Sequence, residues 1–372
     1  MDNSNDYKNQ LKNHLGKHYV IGDLHGMYGT YMDAIGSIND EDTLYILGDV
    51  IDGGQHGIKI LQDIMKRHNV ELFLGDHEWE FMKCYEIMKK YDLCVEEFAI
   101  YTRMYDYIKR REMEVLSEES YTHGMIEIAK QIESKGLEKK KISKVELAQI
   151  SKWIKDGGMT TLRAFVELSN EEQEQIIASL TNSIIIGFLN VDGKKECLVH
   201  ATPYDQKFFL SLLSRVRHEE LVRYGEIAGA NPKVVSQFVT GCTERGQDQF
   251  KNKRANPFDE MYRLGYETLY GHTPQAGQAT KCKRDGSICL DISDNGAAMY
   301  CIENGLVRYI DREFDEPSGH ISEPIAPKLI EDRLEEYIKE NEIQENIIDS
   351  ESISKNTSNP ENPGAPEDPG NR

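Results

Sequence analysis

The chain has 372 residues, 64 of them acidic and 44 basic, for a formal net charge of −20 at pH 7. That balance excludes a nucleic-acid-binding surface, which needs a basic stripe, and no apolar run approaches the ~20 residues of a membrane-spanning helix. Neither nucleic acid nor membrane is therefore an expected partner. Met1–Lys17 has no signal-peptide core. The seven cysteines include no CxxC pair and cannot all pair within one chain. Reduced thiols and a cytoplasmic location are the reading.

In chain order, Met1–Lys17 reads as a polar lead-in. His18–Ile21 is a short apolar strand ending in Gly22-Asp23-Leu24-His25-Gly26. Leu44–Leu47 is a second, running into Gly48-Asp49-Val50-Ile51-Asp52-Gly53-Gly54. Val70–Leu74 is a third, ending in Gly75-Asp76-His77-Glu78. Ile58, Leu61 and Met65 recur at helical spacing between the last two. Strand, helix and strand at this rhythm predict right-handed crossovers and a parallel sheet. All three Gly-Asp turns then lie along one sheet edge, where open α/β sheets bind ligands. That edge gathers Asp23, His25, Asp49, Asp52, Asp76 and His77. So many carboxylates and imidazoles converge only around a cation, and mixed oxygen and imidazole donors suit manganese, iron or zinc.

A helical insertion is predicted over about 80–155, with its Lys- and Glu-rich part, about Arg110–Lys144, exposed to solvent. Asp156-Gly157-Gly158 breaks the helix. Ser169-Asn170 starts another, with acids in its first turn. Ser183–Val191 and Glu196–His200 form a hairpin around Asp192-Gly193, which leaves His200 at a strand end. Gln206–Arg217 and His218–Tyr224 read as helical. Thr268–Tyr270 is a short strand leading to His272. Ser287–Ile292, Ala297–Ile302 and Leu306–Ile310 read as consecutive strands, the last two joined at Asn304-Gly305. Crossover units first and hairpins later predict an α/β protein with two stacked sheets. Asp311–Arg372 holds 17 acidic and 6 basic residues. With Pro360, Pro363, Pro366 and Pro369 near its end, residues 313–372 read as an acidic, largely disordered tail of unknown partner. Residues 1–312 read as one catalytic domain.

GDLHG, GDVIDGG and GDHE resemble the GDxHG, GDxxDRG and GNHE signature of the calcineurin-like metallophosphoesterases. They resemble most closely the phosphoprotein phosphatase branch with its bacterial and phage-type serine/threonine phosphatases. Trp153-Ile-Lys-Asp-Gly-Gly158 is similar to that branch's W-x-x-N-G-G, Leu198-Val-His200-Ala201 to its LVHAG, and Gly271-His272-Thr273 to its GHT. The resemblance runs from about His18 to about Ile310. It implies a four-layer α/β/β/α sandwich holding two divalent metal ions, with manganese the first expectation and iron or zinc alternatives.

The resemblance further implies that Asp23, His25 and Asp49 hold one metal, and that Asp49 bridges to a second held with Asp76, His200 and His272. A hydroxide bridging the two would attack phosphorus in line. His77 would protonate the departing alkoxide, oriented by Asp52, and Arg245 would bind the phosphoryl group. The implied substrates are phosphomonoesters, with phosphoserine or phosphothreonine protein first. A dinucleoside-polyphosphate hydrolase and a metal-binding pseudophosphatase are the alternatives. Three positions depart from the pattern. Gly53 stands in place of the signature arginine, Asp76 in place of asparagine, and Thr202 in place of glycine.

Overall fold

Val20, Tyr45 and Leu47 alternate along two short strands with Ile21, Leu44 and Ile46, and all six are buried. A strand apolar on both faces must be covered on both, and the fold meets that demand with a second sheet on one side and helices on the other. The computed structural model describes residues 16–113, 115–201, 220–227, 232–240, 261–275, 278–281, 286–293 and 295–312. The expectations for Met1–Lys17 before Gly16, for Gln206–Arg217, Arg245 and Thr202, and for the tail from 313 lie outside them.

Strands β1 (His18–Ile21), β2 (Thr43–Ile46) and β3 (Val70–Leu72) are parallel neighbours, as the crossover reading predicts. Helices α1 (Tyr28–Ile35) and α2 (Gly57–Ile64) connect them. Helices α3 (Asp76–Tyr91), α4 (Val95–Glu112), α5 (Glu118–Ser134) and α6 (Lys144–Trp153) follow. A wide turn at Ile154–Gly158 breaks the run, with Gly157 at φ 97°. Helices α7 (Met159–Val166) and α8 (Asn170–Thr181) come next, the latter capped by Ser169 and closed by Glu172 in a reciprocal pair of hydrogen bonds.

The second half builds the second sheet. β4 (Ile184–Val191) and β5 (Lys194–Val199) form the predicted hairpin. β6 (Glu220–Arg223), helices α9 (Tyr224–Ile227) and α10 (Pro232–Val239), and β7 (Tyr266–Tyr270) follow. After β8 (Thr280–Lys281) and β9 (Ile288–Cys289), the chain returns to the first sheet with β10 (Gly296–Cys301) and β11 (Leu306–Asp311). The sheets run β11-β10-β1-β2-β3 and β6-β4-β5-β7-β9-β8.

Between them lies the core, with Val20, Tyr45, Leu47, Phe73, Ala298, Tyr300 and Ile302 facing Ile184, Leu198, Leu269, Ile288 and Leu290. Outside, α1 packs on β10 and β11, α2 on β3, and α10 on β4. This is the α/β/β/α layering the resemblance implies. Of the described residues, those within Met1–Asp106 and Lys139–Gly319 form one compact unit. Those within Tyr107–Glu138 fall in a second unit, where α5 is capped by Ser117 and Gly124 lies against the Tyr107 ring. None of the described helices is long and apolar enough to cross a membrane.

Three expectations are corrected. The helix of the insertion begins at Asp76, not near 80, so the third Gly-Asp turn is itself a helix N-terminus. Glu220–Arg223, expected within a helix, is a strand on the outer edge of β4, because that edge needs backbone partners. Within Ser287–Ile292 only Ile288–Cys289 pairs as a strand. It joins the second sheet, so it does not neighbour β10.

Glu78 locks the site end of the first sheet. It is fully buried, and its carboxylate accepts hydrogen bonds from the backbone N–H groups of Asp49, Val50, Ile51 and Gly75 at 2.9–3.2 Å. Removing it orphans four N–H groups in a water-excluded place. Glu78→Ala is therefore expected to lower the unfolding free energy by more than about 3 kcal/mol, measured by urea denaturation. A loss under about 1 kcal/mol would mean that water replaces the carboxylate at little cost.

Candidate metal centre

The strand ends deliver the side chains. Asp23 and His25 follow β1, Asp49 and Asp52 follow β2, and Asp76 and His77 open α3. His200 follows β5, and His272 follows β7. The two sheets are stitched at this end, where the Leu74 N–H donates to the Ile184 carbonyl at 2.8 Å. Six non-glycine residues among those described have positive φ. Four of them are His25 (41°), Asp49 (51°), Asp52 (65°) and His272 (68°). Such backbone is strained by roughly 1–3 kcal/mol each and persists only where surroundings over-determine it. Gly75 and Gly271 leave the room this packing needs. A Cβ at Gly75 would sit 2.1 Å from Asp49 Oδ1, and one at Gly271 would sit 2.2 Å from Asp23 Oδ1.

Two groups of donors emerge. Asp49, Asp76, His200 and His272 converge with ligand atoms within 4.8 Å of one another, and His25, Asp49 and His77 do the same. Asp49 belongs to both. Asp23 joins neither group. It is buried and accepts the His272 backbone N–H at 3.0 Å.

The donor chemistry fits cations. His200 Nδ1 lies 2.6 Å from the Leu47 carbonyl, which can only accept, so Nδ1 carries a hydrogen. The Nε2 lone pair of the neutral ring then faces Asp76 Oδ1 at 3.3 Å and Asp49 Oδ2 at 3.6 Å. Asp76 Oδ1 is also 2.9 Å from His272 Nδ1. Lone pairs aimed at one another require a positive charge between them, either a proton or a metal. With protons there, burial disfavours the charged His200 ring, but Asp49 and Asp76 outweigh it and raise its pKa to about 9. Burial likewise pushes against the Asp76 carboxylate, but hydrogen bonds from His200 and His272 hold it well below the usual range. Burial, then Asp291 and Asp49, raise Asp23.

His77 and Asp52 form a separate pair beside this cluster. His77 Nδ1 is 2.8 Å from Asp52 Oδ2. Asp52 is fully buried and is clamped by Trp153, whose Nε1–H donates to Oδ2 at 2.9 Å, and by Thr161, whose hydroxyl donates to Oδ1. Thr161 also accepts the Asp52 backbone N–H at 3.0 Å. Burial lowers the His77 pKa, but Asp49 and the hydrogen bond to Asp52 dominate and push it to about 11. In the metal-free protein this favours the protonated ring, with Nδ1 engaged and Nε2 turned toward Asp49 at 4.0 Å.

Thr161 is a site position that the sequence reading missed, and Glu78 and Trp153 entered it only as parts of motifs, with no role. Glu78 stands three residues after Gly75, the spacing at which a glutamate reaches back to a helix N-terminus, and that signal could have found it. Thr161 has no local signal.

Cation and proton compete for the same lone pairs, which fixes a pH dependence. A histidine pKa raised above its unfolded value of about 6.5 gives stability that is full below that pH and is lost as pH rises through the folded value. Without metal, the melting temperature is expected to fall between about pH 7 and pH 9–10, as His200 loses its proton. The loss is on the order of 3 kcal/mol. Added divalent metal should reverse the fall, and bind more tightly as pH rises. Differential scanning fluorimetry with chelator and with metal checks this. A melting temperature flat with pH in chelator would argue against the proton-bridged cluster.

Residues 17–183 match the family model of the calcineurin-like phosphoesterases. The bis(5'-nucleosyl)-tetraphosphatase, symmetrical, of Wigglesworthia glossinidia brevipalpis is 36% identical over 77 residues, a stretch covering 20% of this chain and 28% of that protein. Among solved structures, a protein serine/threonine phosphatase from Saccharomyces cerevisiae is 12% identical with a TM-score of 0.36, over 81% of this chain and 77% of its own. A metallophosphoesterase from Sphaerobacter thermophilus is 12% identical with a TM-score of 0.32, over 80% and 88%. The matched residues 17–183 hold all three Gly-Asp turns and the helices up to the start of β4, and over that stretch the chain is similar to the calcineurin-like phosphoesterases.

Proposed function

We propose that this protein is a two-metal phosphomonoesterase acting on phosphoserine or phosphothreonine protein in the cytoplasm. The observation that carries the reading is the clamped His77–Asp52 pair standing beside an Asp/His cation cluster. His25 and Asp49 would hold one ion, with Asp23, which the resemblance adds although it lies outside the converging groups, and Asp49, Asp76, His200 and His272 would hold the other, manganese being the first candidate. Bound there, two divalent ions supply a water acidified to near neutral pH and neutralise phosphoryl charge.

The chain's own residues do the rest. Asp52 occupies His77 Nδ1, so the proton available for transfer is the one on Nε2. Trp153 and Thr161 keep the Asp52 carboxylate from turning away. His77 donates the Nε2 proton to the departing alkoxide oxygen and is stabilised as a cation until then. Asp76, in place of asparagine, adds a negative charge that strengthens cation binding. The Wigglesworthia glossinidia brevipalpis relative supports a second reading, hydrolysis of dinucleoside polyphosphates.

His77→Asn is expected to slow alkyl phosphate turnover by roughly 10²–10⁴, while sparing p-nitrophenyl phosphate, whose leaving group needs no proton. Steady-state kinetics on both substrates checks it, and equal losses would remove His77 from this role.

Gly53→Arg is expected to raise turnover, by up to roughly 10²-fold, by restoring a bidentate donor to the phosphoryl oxygens. The built Cβ has room, 3.5 Å from His25 Cβ, although φ of 71° strains any side chain there. Turnover of a phosphopeptide and of a dinucleoside polyphosphate is compared in parent and variant with manganese present. Faster parent turnover of the polyphosphate would favour the second reading. Turnover of neither, by either protein, would favour a metal-binding protein without catalysis.

A further inference from the structure

The three Gly-Asp turns at 22–26, 48–54 and 75–78 hold no lysine or arginine, and Gly53 stands where the signature has its arginine. Apart from bound ions and histidines, a phosphoester dianion there meets carboxylates. A side-chain cation for its oxygens has to come from another part of the chain. One such part lies directly against Gly53. The wide turn Ile154–Gly158 packs there so closely that a Cβ at Gly157 would sit 2.5 Å from the Gly53 backbone nitrogen.

Three lysines stand around this turn and the face of α3 beside it. Lys155 is held by the Asp106 carboxylate. Lys83 donates to Glu80 Oε1 at 3.1 Å and to Gln149 Oε1 at 3.3 Å. Lys152, in the last turn of α6, has looser partners. Its Nζ is 3.4 Å from Asp156 Oδ2 and 3.5 Å from Glu80 Oε1, both beyond the ~2.7–2.9 Å of a charge-assisted hydrogen bond. Its side chain is half exposed. Glu80 follows Asp76 by one helical turn on α3, which puts their Cβ atoms about 5–6 Å apart on one face. The ammonium therefore stands close to a ligand of the candidate metal centre. Burial lowers its pKa, but Glu80, Asp76 and Asp156 outweigh burial and raise it, so Lys152 stays charged.

We propose that Lys152 swings onto the phosphoryl oxygens of a phosphoester bound at the metal centre and supplies the positive charge that Gly53 lacks. The inference rests on the phosphoesterase reading above. What the ammonium gives up is small, because long, half-exposed ion pairs contribute little and Glu80 keeps Lys83. A lysine suits the task as a compact charge on a flexible four-carbon stem, which needs no bidentate alignment. Asp76, negative where the signature has a neutral asparagine, draws the ammonium toward the centre before substrate arrives. Lys152 makes and breaks no covalent bond and keeps its proton throughout.

The test is calorimetric titration of inorganic phosphate into the full-length protein at saturating manganese. Lys152→Met is expected to weaken phosphate binding by roughly 10–10²-fold, the worth of a hydrogen bond between charged groups, and Lys152→Arg to keep most of it. In the parent, phosphate should also slow acetylation of Lys152 by acetic anhydride, followed by mass spectrometry, and leave Lys90 as reactive as before. Lys90 is 60% exposed and lies near the far end of α3, about 20 Å from Asp76. The idea is overturned by undiminished phosphate binding to Lys152→Met, by equal weakening in Lys152→Met and Lys152→Arg, by acetylation of Lys152 that ignores phosphate, or by no phosphate binding to the parent. A lowered melting temperature of Lys152→Met with phosphate binding intact would mark Lys152 as a structural ion-pair partner only. Turnover is measured separately. A protein that binds phosphate through Lys152 but hydrolyses no phosphomonoester keeps this inference and loses the phosphomonoesterase reading.

Discussion

One carboxylate organises the site end of this molecule. Glu78 collects the N–H groups of Asp49, Val50, Ile51 and Gly75, and so ties the turn after β2 to the turn that opens α3. Asp49 can then hold its positive φ, because its N–H is satisfied by a side chain that no strand partner could replace. Its carbonyl accepts from both Leu24 and His25, which fixes the turn after β1 as well. Three consecutive turns are thus held by a single buried acid and one strained aspartate. The cation ligands above them inherit that geometry.

The second sheet contributes by a different route. His200 is held through Nδ1 by the carbonyl of Leu47 on the opposite sheet. The bond fixes which nitrogen faces the carboxylates, a role outer partners commonly play for ligating histidines. His272 is oriented by Asp23 through its backbone N–H and meets Asp76 with its ring. The cluster therefore exists only when both sheets are stacked. It reports on tertiary packing more than on any one strand.

Much of this was legible in the residues. The three Gly-Asp strand ends, the hairpin before His200 and the short strand before His272 are local patterns, and local patterns survive folding. What stayed hidden depends on distance or on competition. The clamp on Asp52 comes from Trp153 and Thr161, about a hundred residues away, and no spacing rule links them. Glu78 reads as a surface acid until its neighbours are seen to lack other partners. Glu220–Arg223 is too short for its periodicity to speak, and its strand character comes from the open edge of β4. The helix start at Asp76 was masked by a motif that resembles the other two turns, although it closes with a glutamate suited to a helix N-terminus.

The first sheet also has a consequence for how the chain is made. β1 sits between β2 and β10, and β10 begins only at Gly296. At roughly 5–20 residues per second of synthesis, the edge of β1 that β10 will cover waits tens of seconds after emerging. During that interval the nascent chain presents an apolar strand, with Val20 and Ile21, whose backbone groups are free to pair with another chain. Successful production of this protein thus depends on shielding that edge until the C-terminal strands arrive.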